Sequence, residues 1–178
     1  MRLIQYRHKA SFTQERFDEA RQIAGLCQEA GATFVMNDRA DFARLLECGL
    51  HLGQDDLPVT NARELVGPDR LIGISTHNEQ QFRDAITTSA NYIALGPIFN
   101  TRSKLNPDPE VGTSGLTALR KVTSRHLVAI GGIRLFQAAS VIASGADSLA
   151  VISALLPERS GDLNGLEQNA ADWLKAVE

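Results

Sequence analysis

The chain has 178 residues, a net charge of −3 and 43% apolar residues, the profile of one globular domain spanning 1–178 that can bury a core. No apolar run approaches the roughly 20 residues of a membrane span, and polar residues come too early for a signal peptide, so the expectation is a cytoplasmic protein without membrane contact. Mild acidity, scattered Lys and Arg, one Trp and two Tyr argue against a nucleic-acid surface.

In chain order, Leu3 and Ile4 open like a buried strand, read over 3–7. Gln5, Arg7 and Lys9 arrive at every second position, so a strand would aim them at one side. Ser11 and Gln14 resemble a capping box before a helix in which Phe17, Ala20, Ile23, Ala24 and Cys27 recur at helical spacing. Gly31 ends that helix and a strand follows at 33–37. A weaker helix after Asp38 carries Cys48 on its apolar side and gives way at Gly49 to a strand over 50–53. Helices after Asn61, Asn78, Ser114 and Leu135 alternate with strands at 71–75, 92–97, 127–131 and 148–153. A last helix from about Asn164 buries Leu166, Trp173 and Leu174. Between 100 and 113 lies the one long polar loop.

Helix, small residue, short apolar strand: the unit repeats without a linker. Strands that are nearly continuous apolar runs are covered on both faces. The pattern means an α/β protein with a parallel sheet, either doubly wound or closed into a barrel. Cys27 and Cys48 read as small core residues in a reducing compartment.

In both architectures chemistry collects at the carboxyl ends of strands. There the chain places Gln5, Arg7 and Lys9; Asn37 and Asp38; Gly53 to Asp56; Ser75 to His77; Thr101, Ser103 and Lys104; Gly131 and Gly132; Ile152 and Ser153. Arg7, Lys9 and Lys104 are cations suited to phosphate. Asp38 and Asp56 add the one or two carboxylates that Mg²⁺ takes alongside substrate phosphates. A diphosphate bridged by Mg²⁺ would use both sets. Gly132 with Ile152 and Ser153 suggests a second, monophosphate site built on main-chain N–H groups. Plainer readings stand beside these. Gln5, Arg7 and Lys9 could be an exposed strand end, Asp38 a helix cap, and Asp55 and Asp56 turn residues before Pro58. His8, His77 and His126 show no acid/base partner, and His51 reads as packed rather than catalytic.

The ordered motifs "QYRHK", "NDRAD", "HLGQDD", "GISTHN", "YIALGPIFNTRSK", "AIGGI" and "AVISAL" resemble the thiamine-phosphate synthase family from Leu3 to about Leu155. The resemblance implies a TIM (β/α)8-type barrel. It implies a Mg²⁺-dependent transferase that joins hydroxymethylpyrimidine diphosphate to thiazole phosphate, releasing pyrophosphate. By position, Gln5, Arg7, Lys9, Asn37, Ser75 and Lys104 would hold the pyrimidine and its diphosphate, and Asp38 and Asp56 the Mg²⁺. Thr101, Arg102, Ser103, Gly132, Ile152 and Ser153 would hold the thiazole phosphate. Lys104, Arg7 and Ser75 are the expected catalytic residues, with Lys104 carrying the largest effect. The related thiazole tautomerases have His where this chain has Pro97; such a paralogue, or a silent binder of the same phosphorylated small molecules, is the alternative. Family members begin one strand–helix unit earlier, so seven of eight barrel strands are expected here, through either N-terminal truncation or a mis-called start at Met1. Two open sheet edges would then call for association into a homo-oligomer or leave a weakened enzyme.

Overall fold

The computed structural model describes residues 3–101 and 108–177. It has seven strands and seven α-helices in strict alternation among those residues. The chain divides into two compact units.

The first unit runs to Ser75 and includes Thr87–Asn91. It contains β1 (Leu3–Tyr6), α1 (Gln14–Glu29), β2 (Thr33–Asn37), α2 (Ala40–Leu45), β3 (Gly49–Leu52), α3 (Val59–Val66) and all but the last residue of β4 (Ile72–Thr76). Each strand pairs in parallel with the next, with Tyr6 beside Met36, Asn37 beside His51, and Leu52 beside Ile74. Alternation then sorts the side chains. Phe34, Met36, Leu50, Leu52 and Ile72 enter a core with Ala20 and Cys27 of α1 and Val59, Ala62 and Val66 of α3. Asn37, His51 and Ser75, one position out of phase, project from the opposite face of the sheet. The Tyr6 hydroxyl donates to Glu19 Oε2 at 2.5 Å, and Arg16 donates to the same oxygen at 2.8 Å, tying α1 to β1.

The second unit comprises Thr76–Ile86 and Tyr92–Glu178. It holds most of α4 (Glu79–Thr87), then β5 (Tyr92–Leu95), α5 (Gly112–Arg120), β6 (His126–Ile130), a 3-10 turn (Leu135–Gln137), α6 (Ala138–Ala143), β7 (Ser148–Ala150) and α7 (Leu163–Ala176). β5 pairs with β6 and β6 with β7, again in parallel. Phe82, Ile93, Leu95, Ile98, Leu116 and Leu127 are fully buried. On α7, Trp173 is buried and donates to Ala154 O at 3.2 Å, while Leu166 and Leu174 are half-buried. Parallel strands taken in chain order, each followed by a helix, make this the α/β fold of TIM-barrel type. No helix among the described residues is long and apolar enough to cross a membrane.

Each unit contains an arginine clamp of similar design. In the first, Arg63 at the end of α3 donates to the Gly67, Pro68, Arg70 and Ser89 carbonyls and to Asn91 Oδ1. Asn91 Oδ1 also accepts from Ile72 N at 2.8 Å. In the second, Arg120 at the end of α5 donates to the Thr123 and Arg125 carbonyls and to Asp147 Oδ2, which also accepts from Leu127 N at 2.8 Å. An arginine ending one helix thus anchors the start of the following strand and the residue leading to the strand after it.

Several sequence expectations need correction. β1 stops at Tyr6, and Leu3 and Ile4 are 37% and 46% exposed, because β1 has only β2 beside it among the described residues. Thr13, not Ser11, stands at the α1 N-cap, and no side chain caps that helix. Cys48 lies beyond α2, in the connection to β3. β5 ends at Leu95 and β7 at Ala150. The chain turns directly after β7, with Leu155 N donating to Ile152 O and Leu156 N to Ser153 O, so Ile152 and Ser153 lie in that turn.

Candidate active site

In the first unit, residues from four strand ends come together. Lys9, in the connection from β1 to α1, donates to Asp38 Oδ2 at 2.5 Å. Asp38 follows β2 with φ +64°, a left-handed conformation that Asp tolerates better than most residues. That backbone is held by Asp38 N donating to His51 O (2.8 Å) and Arg39 N to Asn37 O (2.8 Å). The α2 N-cap is Arg39, so Asp38 does not cap the helix and its carboxylate turns to Lys9 instead.

Asp56, in the turn after β3, accepts from Gly53 N at 2.7 Å. Its carboxyl is raised above the usual aspartate range, mainly by burial and then by a hydrogen bond with Asp38; the Gly53 N–H and Lys9 oppose this. Asp56 thus closes a turn, as its plainer reading has it, and it also faces a second carboxylate. Two facing carboxylates are the donor set of a hard divalent cation whose other ligands are water and phosphate oxygens, so these residues fit Mg²⁺. No third His, Cys, Asp or Glu joins such a group among the described residues.

Next to the carboxylates is a polar lining. Asn37 is buried, and its Nδ2 has no hydrogen-bond partner among the described residues. His51 is buried and its Nε2 lies 2.8 Å from Ser75 Oγ. Burial drives the His51 pKa down to about 4, against a weaker upward pull from Asp56, so the imidazole is neutral near pH 7. Gln54 Nε2 donates to Ser75 O at 2.5 Å. Gln5 is exposed on β1, and Arg7 is exposed just past its end.

A stack supports the Asp38 loop. The Arg39 guanidinium lies 4.0 Å from the Phe42 ring centroid and 4.7 Å from that of Phe12, and it grips Asp41 with two nitrogens. Phe12 meets Phe42 edge-on at 5.1 Å. Phe12 belongs to the connection that carries Lys9, so this stack joins the Lys9 and Asp38 loops.

The residues assigned to the thiazole phosphate fall in the second unit. Thr101 is half-buried; Arg102, Ser103 and Lys104 lie outside the described residues. Gly132 has φ +68°, and a Cβ there would come within 2.5 Å of the Phe99 and Asn100 carbonyl oxygens. The close approach it permits is to the chain's own backbone. Ile152 and Ser153 are exposed. His77 does have a polar setting: Nδ1 is 2.7 Å from Gly96 O and 3.7 Å from Asp108 Oδ2. The His77–Asp108 approach, the His51–Ser75 pair and the Arg39 stack were missed in the sequence. Of these only the His51 pair had a signal, since His51 sits on the same strand phase as the site residues.

Parallel βα units with charged side chains past the carboxyl ends of their strands define a TIM-type α/β enzyme. The family model described as thiamine monophosphate synthase matches residues 1–155. The thiamine-phosphate synthase of Koribacter versatilis is 48% identical over 155 residues, which span 86% of this chain and 73% of that protein. That of Chloroflexus aurantiacus is 41% identical over 155 residues, 86% of this chain and 71% of its own. Among solved structures, a thiamine phosphate pyrophosphorylase from Pyrococcus furiosus superposes with a TM-score of 0.84 at 28% identity, covering 99% of this chain and 84% of its own. The chain belongs to the thiamine monophosphate synthase family and is an enzyme of the transferase class.

Proposed function

We propose that the chain condenses 4-amino-2-methyl-5-hydroxymethylpyrimidine diphosphate with thiazole phosphate, giving thiamine phosphate and pyrophosphate, with Mg²⁺ in the cytoplasm. The observation that carries this reading is the convergence of Lys9, Asp38 and Asp56 beside the buried Asn37 and His51 and the half-buried Ser75 in one unit. Asn37 suits an acceptor of an aminopyrimidine, because a buried unpaired donor costs about 1–3 kcal/mol that a ligand acceptor would recover, and Ser75, paired with His51, adds a hydroxyl. Gln5, Arg7, Lys9 and Lys104 take the diphosphate. Asp38 and Asp56 hold the ion, which when bound neutralises charge on the departing diphosphate. Thr101, Arg102, Ser103, Gly132, Ile152 and Ser153 take the thiazole phosphate.

The reaction is dissociative. The C–O bond to the diphosphate breaks first, and the electron-rich aminopyrimidine stabilises the cation left behind. The thiazole nitrogen then donates its electron pair to that carbon. The protein's contributions are placement of the acceptor and charges aimed at the leaving group, which need no nucleophilic side chain.

Pyrophosphate release should require both substrates and Mg²⁺ and stop with excess chelator. Lys104→Ala should lower kcat by about 10²- to 10³-fold, as for removal of one group that meets developing charge. Full turnover in chelator, or binding of both substrates without product, would sink the reading.

A further inference from the structure

Asp38 is claimed twice. The proposed function makes it a cation ligand, yet its Oδ2 accepts from Lys9 Nζ at 2.5 Å. An ammonium on one carboxylate oxygen takes one of its lone pairs, and its positive charge opposes a metal ion at the same carboxylate. The two partners differ in freedom. The main chain that carries Asp38 is fixed through its own N–H, through Arg39 N, and through the neighbouring Arg39 guanidinium held by Phe12, Phe42 and Asp41. Asp56 is fixed by the Gly53 N–H. The Lys9 side chain is 52% exposed, on a flexible four-carbon stem whose ammonium can turn toward any nearby anion.

We propose that Lys9 is a placeholder on the cation site: its ammonium occupies Asp38 until a diphosphate draws it off, so that cation and diphosphate bind as a coupled pair. The inference rests on the reading of Asp38 and Asp56 as cation ligands. Whatever engages the Lys9 ammonium frees a ligand for the cation, and by linkage the cation raises affinity for the diphosphate by the same factor. The coupling is modest because the pair is partly exposed; such pairs correspond to a factor of about five at most. Its use is selectivity: the lone cation is discouraged and the cation–diphosphate pair is welcomed.

The test is titration with Mn²⁺, followed by electron paramagnetic resonance of the free ion, on wild type, Lys9→Met, Lys9→Arg, Asp38→Asn and Asp56→Asn. Lys9→Met should bind Mn²⁺ alone about three- to fivefold more tightly than wild type, and should bind the preformed Mn²⁺–pyrophosphate complex more weakly. A general folding defect cannot move the two in opposite directions. Lys9→Arg keeps the charge and should stay within about twofold of wild type for Mn²⁺ alone. Unchanged or weaker binding of Mn²⁺ alone by Lys9→Met overturns the placeholder role, and Lys9→Gln repeats the test if Met is poorly tolerated. Wild-type Mn²⁺ affinity in both Asp38→Asn and Asp56→Asn overturns the cation site itself, whatever Lys9→Met does.

Discussion

The two arginine clamps end on different acceptors, an amide oxygen at Asn91 and a carboxylate at Asp147, and that difference can be tested. Asn91 Oδ1 accepts from Arg63 at 2.7 Å and from Ile72 N at 2.8 Å. Asp147 Oδ2 accepts from Arg120 at 2.7 Å and from Leu127 N at 2.8 Å. Geometry is matched, so Asn91→Asp changes charge while keeping shape. A neutral hydrogen bond contributes about 0.5–1.5 kcal/mol and one to a charged group about 1.5–3 kcal/mol. Asn91 and Asp147 are both solvent-exposed, and exposed ion pairs give about 0.2–1 kcal/mol, so the gain shrinks to about 0.5 kcal/mol. For a chain of this size that raises Tm by about 1–2 °C. Asp147→Asn should lose about as much, and Asp147→Ala about 1.5–2 kcal/mol, because Leu127 N and Arg120 then lose their acceptor. Urea unfolding with and without about 1 M salt is the assay; at that ionic strength screening acts over about 3 Å, so the Asn91→Asp gain should largely vanish. A destabilised Asn91→Asp, or a gain untouched by salt, would refute the charge argument.

Two further outcomes are expected. The folded-state pKa of His51, depressed to about 4, means that the unfolded chain binds its proton more readily. Its contribution is therefore fully present above the unfolded value near 6.5 and is lost as pH falls toward 4; urea unfolding should show roughly 2 kcal/mol lost to this group between pH 7 and pH 4.5, and a shallower pH slope in His51→Gln. Arg39→Ala should cost about 1–2 kcal/mol of stability through two ring contacts and the Asp41 grip, and, under the proposed Mg²⁺ dependence, should raise the Mg²⁺ concentration giving half-maximal rate. Arg39→Lys should not restore either, since an ammonium cannot stack and fork at once.

How far the sequence reached depended on the range of the interaction. Alternation of helix and strand was visible because it is local: apolar spacing, then a small residue such as Gly31 or Gly145, then a short apolar run. The grouping of polar residues at strand ends followed from that alternation, and Lys9 beside Asp38 agrees with it. Bonds across strands were not visible, because register decides them. His51 reads as packed, and it is, but only the β3–β4 pairing brings it to Ser75. Asp108 reaches His77 from 31 positions away. Ser11 failed as a cap by two residues, the usual uncertainty of helix ends.

At position 38 the chain meets two separate requirements with one residue. The main chain there demands a left-handed bend, while the proposed chemistry demands a negative oxygen. Asn and Gly satisfy the first demand and fail the second. A descendant that abandoned catalysis would thus be free to drop the acid but not the bend. In such a lineage Asn or Gly at this site, rather than Ala, would be the fossil of the lost carboxylate.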